Sequence, residues 1–137
     1  MDSVINNRII DPATGEEIGK VPDMNVEDAK EAIDIASASF KTWSRTTAKE
    51  RHDLMKKWYD AILANQEDLA TILTWENGKS IAEARGEIVY GSSFIEWFAE
   101  EAVRSYGAVI PNNVASQRYI TIKQPVGVVG IITPWSK

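Results

Sequence analysis

Apolar residues recur along this chain in three rhythms, and each rhythm predicts its own kind of element. From position 25 to 107 they return every three or four residues. Val26, Ala29, Ile33, Ala36, Phe40 and Trp43 form the first such stripe, which predicts an amphipathic helix. Asn25 stands at its N-cap with Asp28 in the first turn. Thr47 with Glu50 three residues on forms a capping box for a second helix, whose inward face is Leu54, Trp58, Ala61 and Ile62. Asn65 predicts a break and a new cap; Leu69, Ile72 and Leu73 line a third helix that Asn77-Gly78 closes. Ser80 and Glu83 open a fourth, which the pattern carries to Tyr106 before Gly107 ends it. Gly86 and Gly91 inside it each cost up to about 1 kcal/mol relative to Ala, which predicts close packing or a break there.

The second rhythm is alternation. Two short β-prone pieces flank Asp11-Pro12-Ala13-Thr14-Gly15, a turn sequence, and predict a hairpin within 1–22. Arg118 to Lys123 alternates as well and predicts a strand over 117–123. The third rhythm has no polar beat at all. Pro125-Val126-Gly127-Val128-Val129-Gly130-Ile131-Ile132-Thr133-Pro134-Trp135 is apolar on both faces, the pattern of a strand in the middle of a parallel sheet, expected over 125–135. A parallel neighbour requires a crossover of about a dozen residues or more. None follows before Lys137, so the chain is expected to be the front part of a larger α/β protein, mostly helical in this portion.

Composition narrows the function classes. With 44% hydrophobic and 26% charged residues in 137, the chain has the balance of an ordinary globular protein. A formal net charge of -5 argues against a nucleic-acid footprint, which needs a basic patch. The N-terminus lacks the basic and apolar regions of a secretory signal, and the longest apolar run is well short of the roughly 20 residues that span a bilayer. A soluble cytoplasmic protein that binds neither membrane nor nucleic acid is expected, with a mitochondrial location left open. There is no cysteine, which removes disulfides, thiolate metal sites and any thiol nucleophile.

Few side chains are candidates for chemistry. His52 is the lone histidine, set in the charged run Lys49 to Asp53, and reads as a solvated helix-surface residue. Glu96 and Glu100 share a helix face, with Arg104 four residues after Glu100 as its ion-pair partner, so a solvated face is expected. Phe94, Trp97 and Phe98 read as core. Gly127 and Gly130 lack the third glycine and helix start of a dinucleotide fingerprint. Thr133-Pro134-Trp135, beyond the carboxyl end of the predicted strand, stands where open α/β sheets bind ligands.

Three segments together carry a family resemblance: Ile10-Asp11-Pro12-Ala13-Thr14-Gly15-Glu16, Glu76-Asn77-Gly78-Lys79, and the run from Pro125 to Trp135. In this order and spacing the chain resembles the N-terminal part of an aldehyde dehydrogenase along essentially its whole length. Phe94 to Ala102, then Tyr106-Gly107 and Ile110-Pro111, resemble the succinate-semialdehyde branch. The resemblance implies a hairpin, a helical segment and then the first strand of a Rossmann-like cofactor sheet. It also implies oxidation of an aldehyde to a carboxylate with NAD or NADP, as in 4-aminobutyrate breakdown. In the family a cysteine thiolate attacks the aldehyde and a glutamate activates water; the resemblance places both beyond this chain, with the catalytic domain. Positions equivalent to Ile132, Thr133, Pro134 and Trp135 contact the cofactor in the family, and Ile10 and Glu76 correspond to a monovalent-cation site. The family then has Asn, a donor to the oxyanion, where this chain has Ser136. The chain is thus expected to be inactive alone. Association into a homo-oligomer or with a full-length subunit is expected, and a non-catalytic interaction protein docking on such a subunit is the alternative reading.

Overall fold

The computed structural model describes residues 7–133. Its elements run in the order β1 (Asn7–Ile10), β2 (Glu17–Val21), α1 (Val26–Trp43), α2 (Ala48–Ala64), α3 (Gln66–Asn77), α4 (Ile81–Ala102), β3 (Ala108–Ile110) and β4 (Tyr119–Thr121). Helix dominates, and the strands form two separate antiparallel pairs, β1 with β2 and β3 with β4. No helix of the described residues is long and apolar enough to cross a membrane.

The first hairpin is set by its turn. Asp11 Oδ1 accepts the Ala13 N–H at 2.7 Å, the Gly15 N–H reaches the Asp11 carbonyl at 2.8 Å, and Gly15 takes φ 76°, which glycine adopts without a Cβ penalty. The register shifts between Ile9 and Ile10, a bulge in the first strand. An Arg8–Glu17 ion pair crosses the two strands.

Three of the four helices begin with a capping box, two where the pattern predicts one and the third at the predicted N-cap Asn25. Asn25 Oδ1 accepts the N–H groups of Glu27 and Asp28 at 2.7 and 3.1 Å, while the Asp28 carboxylate takes the Asn25 N–H at 2.9 Å. Thr47 with Glu50 and Ser80 with Glu83 repeat the arrangement at α2 and α4. Each cap is worth about 1 kcal/mol. Asn65 departs from the expected role. Its side chain makes no cap bond to α3; its Nδ2 instead donates back to the Ala61 carbonyl at 2.7 Å, closing α2. With no linker between the two helices, Asn65 has to end one before it can start the next. Gly78 ends α3 as predicted, at φ 78°, and a Cβ on it would meet Pro12 Cγ at 2.8 Å. The hairpin turn is therefore seated against the α3–α4 turn.

The fold centres on α4, which packs along α2 and α3. Ala84, Ser92 and Ala99 are its buried positions, spaced eight and seven residues apart on one face. Small side chains let the backbones approach, and Ser92 stays satisfied by donating to the Val89 carbonyl at 2.9 Å. The glycines expected to mark close packing or a break do neither: α4 is continuous, and a Cβ on Gly86 or Gly91 would meet open space. Ala70, Leu73 and Ala84 form the small core, with Ile81 and Ile88 against it. Helix α1 buries no residue.

Downstream of α4 the structure departs from the pattern three times. The helix stops at Ala102 rather than Tyr106, because the chain must extend to form β3, a strand that the sequence pattern does not announce. Gly107 sits so close to β4 that a Cβ would lie 2.0 Å from the Thr121 carbonyl oxygen. The strand expected over 117–123 is paired only at Tyr119–Thr121, opposite Ala108–Ile110. The strand expected over 125–135 is not formed in its described part, 125–133, which has no regular structure. A strand exists only through its neighbour's hydrogen bonds, and no described residue offers an edge to this run.

Candidate functional site

The expected cofactor positions fall at the end of the described chain. Ile132 is fully exposed and Thr133 is exposed; Pro134 and Trp135 lie outside the described residues. None of the cavities described below is lined by Ile132 or Thr133. Ile132 and Thr133 by themselves, exposed on a run without regular structure, make no enclosed cradle for a nicotinamide cofactor. A crevice at a strand's carboxyl end needs the sheet that this run does not make.

Of the expected cation positions, Glu76 faces the hairpin across a cavity that Ile10 does not line. Glu76, half-buried near the end of α3, lines a cavity of about 240 Å³ with Ile72 and Trp75 on the helix side and Ile9, Ile18 and Gly19 on the hairpin side. Ile10 follows Ile9 on β1, at the bulge. The walls around Glu76 are otherwise apolar, and no group of three or more His, Asp or Glu side chains among the described residues could hold a metal.

Between α2 and α4 lies a polar seam that sequence reasoning missed. His52 is not solvated: its side chain is 21% exposed, with Nδ1 2.9 Å from Asp53 Oδ1 and Nε2 3.5 Å from Glu100 Oε1. One turn along, Lys56 Nζ donates to Glu96 Oε1 at 3.1 Å and lies 4.4 Å from the Tyr59 ring centre. The Glu96 hydrogen bond holds the Lys56 ammonium above its ordinary pKa. Asp53 is held below the usual carboxylate range by its bond to Lys49 and then by His52. The i, i+4 pairing of Glu96 and Glu100 was visible in the sequence, but that both reach across to another helix was not. Arg104 engages Glu100 as expected, at 3.9 Å, and Glu101 more closely at 3.2 Å.

A second clasp joins α3 to α4. Arg85 Nε and Nη2 grip the Glu67 carboxylate at 2.9 and 2.7 Å, a two-pronged pair that lowers the Glu67 pKa and raises that of Arg85. The Lys79–Glu87 pair is the most enclosed, its side chains 13% and 27% exposed.

The aromatic residues of α4 are not core. Phe94, Trp97 and Phe98 are 47%, 64% and 56% exposed and line an open groove of about 640 Å³ whose rim carries Glu96 and Glu100. Tyr90 meets Phe94 edge-on, ring centres 5.0 Å apart. Helical spacing identified them as one stripe; it could not show that α2 and α3 cover the opposite face.

A family model described as "Aldehyde dehydrogenase family" matches residues 3–137. The chain is 53% identical over 135 residues to the succinate semialdehyde dehydrogenase of Acinetobacter baylyi, covering 98% of this chain and 28% of that protein. It is 47% identical to the NADP(+) succinate-semialdehyde dehydrogenase GabD of Escherichia coli, over 93% of this chain and 26% of that protein. The crystal structure of a succinate-semialdehyde dehydrogenase from Burkholderia pseudomallei superposes with a TM-score of 0.88 at 47% identity, covering 92% of this chain and 26% of that one. The chain spans about a quarter of the length of each of these relatives.

Proposed function

The chain belongs to the aldehyde dehydrogenase family, and from that premise we propose that it forms part of an NAD(P)-dependent dehydrogenase oxidising succinate semialdehyde to succinate. Its identity to the Acinetobacter enzyme along nearly its whole length carries this reading. The fold is that of the N-terminal portion of the family fold, and in this reading it supplies scaffold and one edge of a cofactor site. That edge is Ile132 to Trp135, an apolar side chain and a hydroxyl followed by a rigid proline and an indole. The cofactor, when bound, would supply the hydride acceptor. At the hairpin, the Glu76 carboxylate and backbone carbonyls near Ile10 would be the oxygen donors to a monovalent cation in this reading.

By itself the chain is proposed to be inactive. Thioester chemistry needs an activated thiolate, and the sequence holds no cysteine. Purified chain is expected to reduce neither NAD nor NADP with succinate semialdehyde, and robust turnover would remove this reading. The substrate assignment is tested by replacing the segment of the Acinetobacter enzyme that matches residues 3–135 with this chain's, the parent's own residue being kept at the position of Ser136. The chimera is expected to keep kcat/KM for succinate semialdehyde within about tenfold of the parent; a folded chimera without activity would overturn it.

A second reading, docking on a full-length subunit, is favoured by the exposed apolar side chains Val26, Ile33 and Ile35 on α1 and Val126, Ile131 and Ile132 beyond β4. Failure to co-elute with such a subunit would count against it.

A further inference from the structure

The junction of α1 and α2 faces the start of the 124–133 run across a cleft of about 470 Å³. Its lining includes Phe40, Trp43, Thr46 and Ser105 and two cationic residues, Arg51 and Lys123, with no acidic residue. In a chain of net charge -5 that is an unusual wall. The other grooves on the helices each present acidic side chains: Glu96 and Glu100, Glu76, or Glu67 and Asp68.

The two cations are differently prepared. Arg51 is half-buried, and its Nη1 donates to the Thr46 carbonyl and, at 3.2 Å, to Thr46 Oγ1. That anchoring holds the guanidinium in place while its remaining N–H groups stay available in a planar fork, which matches two oxygens of one anion. Lys123 makes no hydrogen bond or ion pair among the described residues, so its ammonium is an unanchored point charge lining the same cleft. Trp43, about half exposed, lines the same cleft and can offer it an apolar indole. Apolar walls with a few convergent polar groups, in a volume between about 300 and 1,000 Å³, are the usual anatomy of a small-molecule site.

We propose that this cleft binds a small organic oxyanion, a phosphate ester or a carboxylate, with the anion between Arg51 and Lys123 and an apolar body against Phe40 and Trp43. The site is independent of the dehydrogenase reading. It is made entirely by residues upstream of the proposed cofactor edge.

The test follows the Trp43 indole N–H resonance, identified by Trp43→Phe, in the ¹⁵N-labelled full chain. Phenyl phosphate and benzoate share a ring and differ in the anion, so one titration with each separates the two ligand sources. Sodium chloride at matched ionic strength controls for screening. The Trp43 signal is expected to shift saturably with at least one compound, while the signals of Trp58, Trp75 and Trp97 stay in place. Lys123→Gln should weaken binding about tenfold, the loss of one charge-assisted contact, and Lys123→Arg should restore it. Lys57→Gln, an exposed charge on α2, should change nothing. No saturable shift with either compound would overturn the site, as would equal weakening by Lys123→Gln and Lys57→Gln.

Discussion

The three-helix unit of α2, α3 and α4 and the run 124–133 are both dense in apolar residues, yet one is regular structure and the other is not. The helices satisfy their backbone within themselves and need neighbours only for their side chains. Small residues on α4 and two ion-pair clasps, Arg85–Glu67 and Lys56–Glu96, then suffice to join them. The run has the stronger apolar signal, but its backbone donors and acceptors need a second strand. Val126, Ile131 and Ile132 are accordingly left exposed. Apolar content alone does not make an element; a bonding partner for the backbone does.

Proline substitution breaks this comparison most sharply. Val89→Pro, in the middle of α4, removes an internal hydrogen bond and should cost about 3 kcal/mol or more. Val128→Pro in the unpaired run should shift the thermal or urea transition by less than about 0.5 kcal/mol. Equal losses would mean that the run is paired in solution. A smaller effect is expected from the core itself: Leu73, 3% exposed, is the one large side chain in it, and Leu73→Ala should cost about 2 kcal/mol by urea unfolding followed by circular dichroism.

The smallest effect sharpens the account of helix starts. The Ser80 hydroxyl and then its backbone N–H hold Glu83 below the ordinary carboxylate range; at Glu50 the Thr47 backbone N–H does so first, then the hydroxyl. Both carboxylates are more acidic folded than unfolded. Their contribution is therefore present above about pH 4.3, the ordinary Glu value, and is lost as pH falls through the lower folded-state pKa. Ser80→Ala should cost about 1 kcal/mol at neutral pH, and its difference from the unsubstituted chain should shrink below that pH. A constant difference down to pH 3 would show that the box is not the source.

What could be read in advance follows the range of the interaction. Capping boxes at Asn25, Thr47 and Ser80 and the glycine stop at Gly78 use partners within four residues, and all four stand where the pattern puts them. Asn65 misled because one residue served the end of α2 and the start of α3 at once. His52 and Phe94, Trp97 and Phe98 misled for the opposite reason: periodicity names a face without saying what stands in front of it. His52 is enclosed by Glu100 from 48 positions away, while the aromatic stripe is left about half exposed. Of the candidate site, the family segments were legible as residues, and the approach of Glu76 to the hairpin required the fold.

By itself the sequence determined that there are four helices, the caps of three of them, the first hairpin and the family, because each depends on local spacing or on a motif carried by consecutive residues. Only the tertiary structure decided the length of α4, the pairing of β3 with β4, the polar seam at His52 and the cleft at Arg51 and Lys123. Those depend on which distant backbone or side chain comes within hydrogen-bond reach, and strands and clefts, unlike helices, have no existence without that second partner.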